Sequence, residues 1–382
     1  MGGKPALGSL GEIIIFFIYM SGIQEFFRNK KILITGHSGF KGSWLAKALL
    51  DCDADITGIA LEPVSKPNLF EPLGLKRSIK NYFFDINDFE KIKETIEKEK
   101  PEIVFHLAAQ PLVRDSYDDP LCTFRTNIIG TANVLQAIKE TETVKSAVII
   151  TTDKVYEEER EEPLHEYRED NKLGGHDPYS SSKAAAEIIT SCYVRSFFNP
   201  EGYLKKHKTL IASARSGNVI GGGDWSKDRI VPDIIRSVFE KDEKIILRNP
   251  EAVRPWQFVL DPLLGYMLLA KKLYEGEKDI SGAWNFGPDN DSYLTVEELT
   301  GRAVKILGRG SYSVQRDENK REAAILRLNS EKAKNALGWR PILDIDAALD
   351  FTFEWYKSFY DKNDIVSITN DQIKYFLERY EL

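Results

Sequence analysis

Lys31-Ile-Leu-Ile-Thr35, followed by Gly36-His-Ser-Gly39-Phe-Lys-Gly42, is the stretch whose reading decides the fold. A short aliphatic and β-branched run ends in glycines, and residues 43–50 then have helical character. Three glycines at this spacing permit a tight turn, close backbone approach to a pyrophosphate and tight helix–strand contact. The helix N-terminus offers free N–H groups and a partial positive charge to phosphates. A glycine-rich turn without a ligand is the alternative. The strand–turn–helix context near the first βαβ unit favours dinucleotide binding through Gly36, Gly39 and Gly42.

Further short apolar runs follow at residues 56–61, 82–85, 101–107, 147–151 and 210–215. Helical patterns lie between them at 89–100, 127–139 and 178–195. Strands alternating with helices predict βαβ units and a parallel sheet, and near-continuous apolar strands fit a sheet covered on both faces. After Gly217 the texture changes: Gly221-Gly-Gly223, Pro232, Pro250, Pro255, Pro262 and Pro288 punctuate shorter elements. The expected architecture is α/β: a Rossmann-type doubly wound parallel sheet with a smaller, mixed α/β C-terminal substrate lobe. The boundaries expected are an extension over 1–28, a dinucleotide-binding domain over 29–216 and a substrate lobe over 217–382. Segments near 254–261 and 284–288 are expected to return to the first domain.

Composition narrows the function classes. The 382 residues are 42% hydrophobic and 29% charged, which fits a globular chain and excludes a disordered one, a collagen or a membrane bundle. With 52 Lys plus Arg against 59 Asp plus Glu, the net charge is −7. That argues against wrapping nucleic acid, which calls for a basic stripe, but allows a local basic pocket for phosphates. Cys52, Cys122 and Cys192 are sparse and contain no CxxC, which argues for a reducing, cytoplasmic setting and against a disulfide framework or a metal site. Ile13 to Met20 is an apolar run of eight, far below the roughly 18 residues of a membrane helix. No secretory cleavage pattern follows it, and Ala6 stands where a myristoylation signal has Ser or Thr. Residues 1–20 read as an extension, poorly ordered or loosely docked, with Met20 as a candidate start.

Tyr179-Ser-Ser-Ser-Lys183 opens the helix after Pro178. Positions i and i+4 share a helix face, so phenol and ammonium can lie together. A free phenol is a poor base at neutral pH, and a fixed cation nearby favours the phenolate. Tyr179 is therefore the candidate acid/base, with Lys183 its electrostatic partner and a ribose anchor. Glu62, 20 residues beyond Gly42, stands where an acid holds an adenosine ribose and favours NAD over NADP; an ordinary surface Glu has the same spacing. Asp85-Ile86 is a candidate adenine contact, or a helix N-cap.

The chain resembles the extended short-chain dehydrogenase/reductases, and within them the CDP-glucose 4,6-dehydratases, from about Phe26 to Leu382. GxxGxxG is the short-chain variant of the loop. The supporting strings are Thr35–Trp44, His106-Leu-Ala-Ala-Gln-Pro-Leu-Val-Arg114, Thr151-Thr-Asp-Lys-Val-Tyr156, Gly175–Ser180, Arg215–Trp225, Arg254-Pro-Trp-Gln257 and Trp284–Pro288. The resemblance implies a three-step reaction at one tightly held NAD: oxidation at C4 of the hexose, loss of water across C5 and C6, and hydride return to C6. It implies Thr152 holding the C4 oxygen, Asp153 as acid for the C6 hydroxyl and Lys154 as base for C5. Related dTDP-glucose dehydratases carry Glu where Lys154 stands.

By the same resemblance Ser38, Phe40 and Ala108 join the cofactor site, and Gln110 and Asn127 line its nicotinamide end and the sheet's switch point. Asn218, Arg229 and Arg254 are pyrophosphate candidates, since Arg offers a planar fork for phosphate. Trp225 and Trp256 pack on the base or sugar, or else in the core. His37, His106 and His176 read as structural. CDP-glucose is the implied substrate, deoxysugar and O-antigen synthesis the setting, and a homodimer through helices near 125–140 and 180–195 the assembly, with no nucleic-acid or membrane partner. One rival is a nucleotide-sugar 4-epimerase or decarboxylase; Asp153-Lys154 argues against simple epimerisation, which needs no acid at C6. A non-enzymatic NAD-binding scaffold is disfavoured by the intact Thr152/Tyr179/Lys183 set. Because adjacent strand residues face opposite sides, Asp153 and Lys154 reach one sugar only if the strand ends by Asp153, so irregular backbone is expected there.

Overall fold

A computed structural model describes residues 22–63, 65–158, 165–316 and 327–379. Seven strands form one parallel sheet: β1 (Lys31–Thr35), β2 (Asp55–Ala60), β3 (Lys80–Phe83), β4 (Ile103–His106), β5 (Ser146–Ile150), β6 (Leu210–Ser216) and a late strand, Gly282–Phe286. In space the late strand lies at one edge, followed by β6, β5, β4, β1, β2 and β3. The order reverses between β4 and β1, so a crevice opens beyond their carboxyl ends, where open α/β sheets bind ligands. β1, β4, β5 and β6 are buried along most or all of their length, which is why they read as unbroken apolar runs rather than alternations.

Helices cover both faces. The helix α1 spans Ile23–Phe27, α2 Phe40–Leu50, α3 Phe89–Glu99, α4 Gly130–Glu140, α5 Pro178–Ser196 and α6 Leu260–Tyr274. Asp177 caps α5 by accepting the Ser180 N–H, and Pro178 at its first position costs no hydrogen bond. One apolar layer joins α2, α6 and the sheet's inner face to the C-terminal helices, and a second lies under α3 and α4.

Two boundaries move from where the sequence puts them. Residues 1–21 lie outside the described residues, but the extension cannot run to 28, because Ile23 and Phe27 are buried in the main core and α1 packs on α6. The local pattern hides this: five helical residues carry no periodicity, and only the α6 surface gives them a partner. The second concerns Val253–Phe258, which does not join the main sheet. It forms β8 of a separate three-stranded sheet, parallel to β7 (Asn218–Ile220) and antiparallel to Tyr293–Thr295. The chain returns to the first domain with α6 and with Gly282–Phe286, now β9, which pairs with β6. Trp284 and Phe286 in β9 are buried.

The α1 result has a direct test. Phe27→Ala should cost about 3–5 kcal/mol in chemical denaturation, the range for a fully buried Phe, whereas an exposed extension residue would cost under about 0.5 kcal/mol.

Candidate active site

The site is built where β1 and β4 part. Gly36 follows β1 with φ +77°, and a Cβ there would lie 2.7 Å from the Ala108 nitrogen, just past β4. A Cβ on Gly42 would lie 2.1 Å from the Gly36 carbonyl oxygen, so the loop closes on α2 only because glycine stands there. Ser38 donates to the Leu61 carbonyl at 2.8 Å and ties the loop to the end of β2. Gly39 is the N-cap of α2 and no side chain caps the helix. The first-turn N–H groups of Phe40, Lys41 and Gly42 are thus available to an anion, and the cradle fits the phosphates of a dinucleotide. Glu62 lies beyond β2, 3.8 Å from Lys76 Nζ and largely exposed. Asp85 accepts from the Asn87 N–H at 2.9 Å, and Ile86 is buried against Gly130.

A chain of hydrogen bonds runs from this crevice to α5. The Ala108 N–H donates to Thr35 Oγ1 at 3.2 Å, which pairs with His106 Nδ1 at 2.7 Å. His106 Nε2 pairs with Thr131 Oγ1 at 3.0 Å, and Thr131 gives its own hydrogen to the Asn127 carbonyl at 2.7 Å. That last bond fixes the tautomer: Nε2 of His106 donates and Nδ1 accepts. Burial, with Lys183 nearby, pushes His106 down to about 3, so the neutral ring persists at any working pH. Asn127 accepts the Gln110 N–H at 2.8 Å and donates to the Gln110 carbonyl at 3.1 Å and to Ser182 Oγ at 2.8 Å. Ser182 in turn donates to the Tyr179 carbonyl at 2.7 Å.

Asn127 is fully buried with its amide engaged internally, and Gln110 donates to the Leu112 carbonyl and Thr123 while accepting the Leu112 N–H. Both amides are held by protein partners at the switch point, where they shape the crevice. Both tryptophans, read as substrate contacts or core residues, have core partners. Trp225 packs edge-on to Trp355 and Tyr356, and Trp256 is buried with its indole N–H donated to the Leu294 carbonyl. Large aromatics without a local pattern found core partners on the C-terminal helix and the three-stranded sheet.

The candidate reacting groups lie past β5 and at the start of α5. That strand ends at Ile150, and Asp153–Val155 form a 3₁₀ turn, the irregular backbone the two neighbouring side chains require. Thr152 Oγ1 donates to Asp153 Oδ1 at 2.9 Å, and Lys154 Nζ stands 3.2 Å from the same oxygen. Asp153 is buried and Lys154 only partly so. The Tyr179 backbone N–H donates to Ser116 Oγ at 3.2 Å, which anchors the start of α5. Burial pushes the Tyr179 phenol up to about 12, opposed by the Thr152 hydrogen bond and by Arg229. Lys183 Nζ donates to the Ile150 carbonyl at 3.0 Å; burial pulls it down to about 8, opposed by Glu187. Arg229 acts on the Tyr179 phenol, and is itself held to Asp224 at 3.0 Å. Arg254 lies on β8 and Asn218 on β7, at neighbouring positions of the small sheet.

Sequence reasoning passed over Lys41, which lies among the charges of the site. Its Nζ donates to Ser216 Oγ at 2.8 Å, and burial followed by Arg229 pulls it down to about 7, with Asp153 opposing and Lys183 and Lys154 adding to the fall. The signal available was a lysine in the first turn of α2, directly after the glycine turn. His37 is buried against Phe70 and Phe83 with Nε2 bonded to Asn81, and His176 is exposed. Among the described residues no group of three His, Cys, Asp or Glu is placed to hold a metal, and no helix is long and apolar enough to cross a membrane.

Fold and site together define an extended short-chain dehydrogenase/reductase, with a phosphate cradle, a buried Tyr–Lys helix and a carboxylate–amine turn at one sheet edge. The model of the GDP-mannose 4,6 dehydratase family matches residues 33–351, and the chain belongs to that family. It is 42% identical over 355 residues to the CDP-glucose 4,6-dehydratase of Salmonella typhimurium, covering 93% of this chain and 98% of that one. The dTDP-glucose 4,6-dehydratase of the same organism is 26% identical, over 85% of this chain and 92% of its own length. Among solved structures, a UDP-glucose 4-epimerase from Thermotoga maritima superposes with a TM-score of 0.72 at 23% identity, over 86% of this chain and 99% of that one. A dTDP-glucose 4,6-dehydratase from Bacillus anthracis, in complex with NAD, gives 0.71 at 21%, over 88% and 99%. These two likenesses show the shared fold.

The Lys183 environment makes a pH prediction. Its ammonium is charged below about pH 8 and neutral above, against an ordinary lysine value of 10.5. Lysine-labelled NMR of the protein should therefore show the Lys183 resonance titrating near 8, beside that of Lys41 near 7 and well below the exposed lysines; a Lys183 signal moving with the exposed lysines would contradict the burial argument.

Proposed function

We propose that the protein is a CDP-D-glucose 4,6-dehydratase, producing CDP-4-dehydro-6-deoxy-D-glucose. The observation that carries this reading is the Thr152–Asp153–Lys154 turn, with Thr152 and Asp153 buried and Lys154 partly so, beside Tyr179 at the sheet's carboxyl edge. Carbonyl chemistry at C4 needs only the Thr–Tyr–Lys set. A carboxyl and an amine beside it serve a second task, elimination. The 42% identity to a CDP-glucose 4,6-dehydratase supports CDP-glucose as the particular substrate.

The cradle at Gly36, Gly39 and Gly42 would hold NAD, with Ser38, Phe40, Ala108 and Lys183 around it and Glu62 and Asp85 toward the adenosine end. Bound there, NAD supplies a hydride acceptor for C4 and a hydride donor for C6. The chain's own groups manage the protons. Tyr179 takes the C4 hydroxyl proton while Thr152 holds that oxygen, and the cationic surroundings favour the phenolate against the burial that opposes it. Lys154 removes the C5 proton, acidic once C4 is a carbonyl. Asp153 protonates the C6 oxygen, so the C6–O bond breaks and water leaves. After hydride reaches C6, a proton returns to C5 and the ketone at C4 remains.

The acid role takes a proton from the Asp153 carboxyl and the base role takes one onto the Lys154 amine, so the total charge of the two side chains is the same as that of the contact they make. Arg229, Arg254 and Asn218 face the diphosphate in this reading. A homodimer is supported by apolar side chains left exposed on neighbouring helices, namely Tyr117, Leu121, Ile129 and Ile188. Three free cysteines and a sugar-nucleotide substrate support the cytoplasm.

Incubation with CDP-glucose and NAD should give a 4-keto sugar that absorbs in alkali, with no net NADH; equal turnover of UDP-glucose would remove the CDP assignment. Asp153→Asn should slow elimination by about 10²–10⁴ while C4 oxidation survives, and Tyr179→Phe should lose both, as single-turnover kinetics would separate. Full dehydratase activity in Asp153→Asn would misassign the acid.

A further inference from the structure

Glu187 sits on α5 one turn beyond Lys183 and two beyond Tyr179, and its carboxylate is 4% exposed. It accepts four hydrogen bonds. Thr151 Oγ1 donates at 2.5 Å, Ser213 Oγ at 2.6 Å, and Arg215 at 2.9 Å from Nε and 3.0 Å from its second terminal nitrogen. Arg215, equally buried on β6, turns its remaining nitrogen to the Tyr156 hydroxyl at 2.7 Å and the Glu169 carbonyl at 3.1 Å. Tyr156 passes its own hydrogen to Asn285 Oδ1 on β9 at 2.7 Å.

Thr151 and Tyr156 are the residues on either side of Thr152–Val155. Both ends of the turn that carries Thr152, Asp153 and Lys154 are thus tied to the two halves of one ion pair. The Glu187 half is also on the helix of Tyr179 and Lys183. A buried ion pair is weak evidence for stability, since apolar residues of the same volume often serve as well. Its effect here is on placement: a bidentate guanidinium–carboxylate contact has one geometry, and five reacting side chains inherit it.

We propose that the Glu187–Arg215 pair is the positioning unit of the site, holding the Thr152–Asp153–Lys154 turn in register with Tyr179 and Lys183, through Thr151 at one end and Tyr156 at the other. This rests on the dehydratase reading. It predicts an uneven effect. Asp153 and Lys154 act only in elimination and both ride on the turn, whereas of the C4 oxidation set only Thr152 rides on it and Tyr179 and Lys183 stay on a long, well-anchored helix. Loosening the turn should therefore slow elimination more than C4 oxidation.

Thr151→Val and Tyr156→Phe each remove one hydroxyl and leave the ion pair whole. With NAD-loaded protein and CDP-glucose, C4 oxidation is read from bound reduced nicotinamide in a single turnover and elimination from solvent deuterium entering at C5. Elimination should slow by roughly ten- to a hundred-fold, the scale of a small misplacement, while C4 oxidation, which has only Thr152 on the turn, slows several-fold less and KM stays within about two-fold. Thr151→Ser should restore the wild-type ratio. Equal slowing of both steps, or no slowing in either variant, would overturn the proposal and leave the pair a core strut. Amide hydrogen exchange at Asp153–Val155, measured without substrate, is the second readout. Faster exchange in Tyr156→Phe supports the proposal and unchanged exchange overturns it, even if the wild-type protein leaves CDP-glucose untouched and the dehydratase reading falls. Should Thr151→Val not fold, Tyr156→Phe carries both measurements alone.

Discussion

The Gly36 carbonyl leaves no room for a side chain at Gly42, and everything at the site follows from that close approach. It forces the end of β1 and the start of α2 together, with Ala108 of the adjoining strand against them. The crevice between β1 and β4 therefore has a backbone floor and a row of first-turn N–H groups at one wall. A side chain at either glycine would push α2 from the sheet, and with it the core side chains Trp44, Leu45 and Leu49. Ligand geometry and core packing are here the same constraint.

From that floor the geometry is carried sideways by hydrogen bonds rather than by apolar contact. His106 is the turning point. It is buried, neutral and satisfied at both nitrogens, and it links Thr35 beneath the phosphate loop to Thr131 and Asn127. A protonated ring would lose the bond to the Thr35 hydroxyl and place an unpaired charge in the core. Burial prevents that, since the same desolvation that depresses its basicity keeps the tautomer constant. The π-helical turn Arg125–Ile129 belongs to this link, because it carries Asn127 toward both the Gln110 backbone and Ser182.

Charges in the site pull against their surroundings. Tyr179 is pushed up, Lys183 and Lys41 are pulled down, and burial is the first cause each time. The groups that restore balance are Arg229 for the phenol and Asp153 for Lys41, both from distant parts of the chain, and Glu187 for Lys183, one turn along the same helix. A ligand bringing phosphates and a hexose enters a region already rich in cations. That suits an acidic protein, whose basic residues must be concentrated to hold a diphosphate.

Local pattern alone was enough for the glycine loop, the alternation of strands and helices and the Tyr179–Lys183 pairing; the need for broken backbone at Asp153 followed from the roles that the family resemblance implied for it and Lys154. Each depends on residues a few positions apart, where periodicity and turn chemistry act directly. The roles of Asn127, Gln110, Trp225 and Trp256 were not legible, since an amide or an indole reads alike whether it meets a ligand or a buried carbonyl. Lys41 and Glu187 were passed over for the same reason: their partners, Ser216 and Arg215, lie 175 and 28 residues away. Nor could the pattern show that residues 23–27 dock on α6 or that Val253–Phe258 builds a separate sheet. Sequence by itself determined the parallel sheet and the kinds of chemistry at its edge. Which side chains face the crevice, and which are consumed in holding it open, was decided only when the tertiary fold brought distant donors, acceptors and apolar surfaces together and desolvated them.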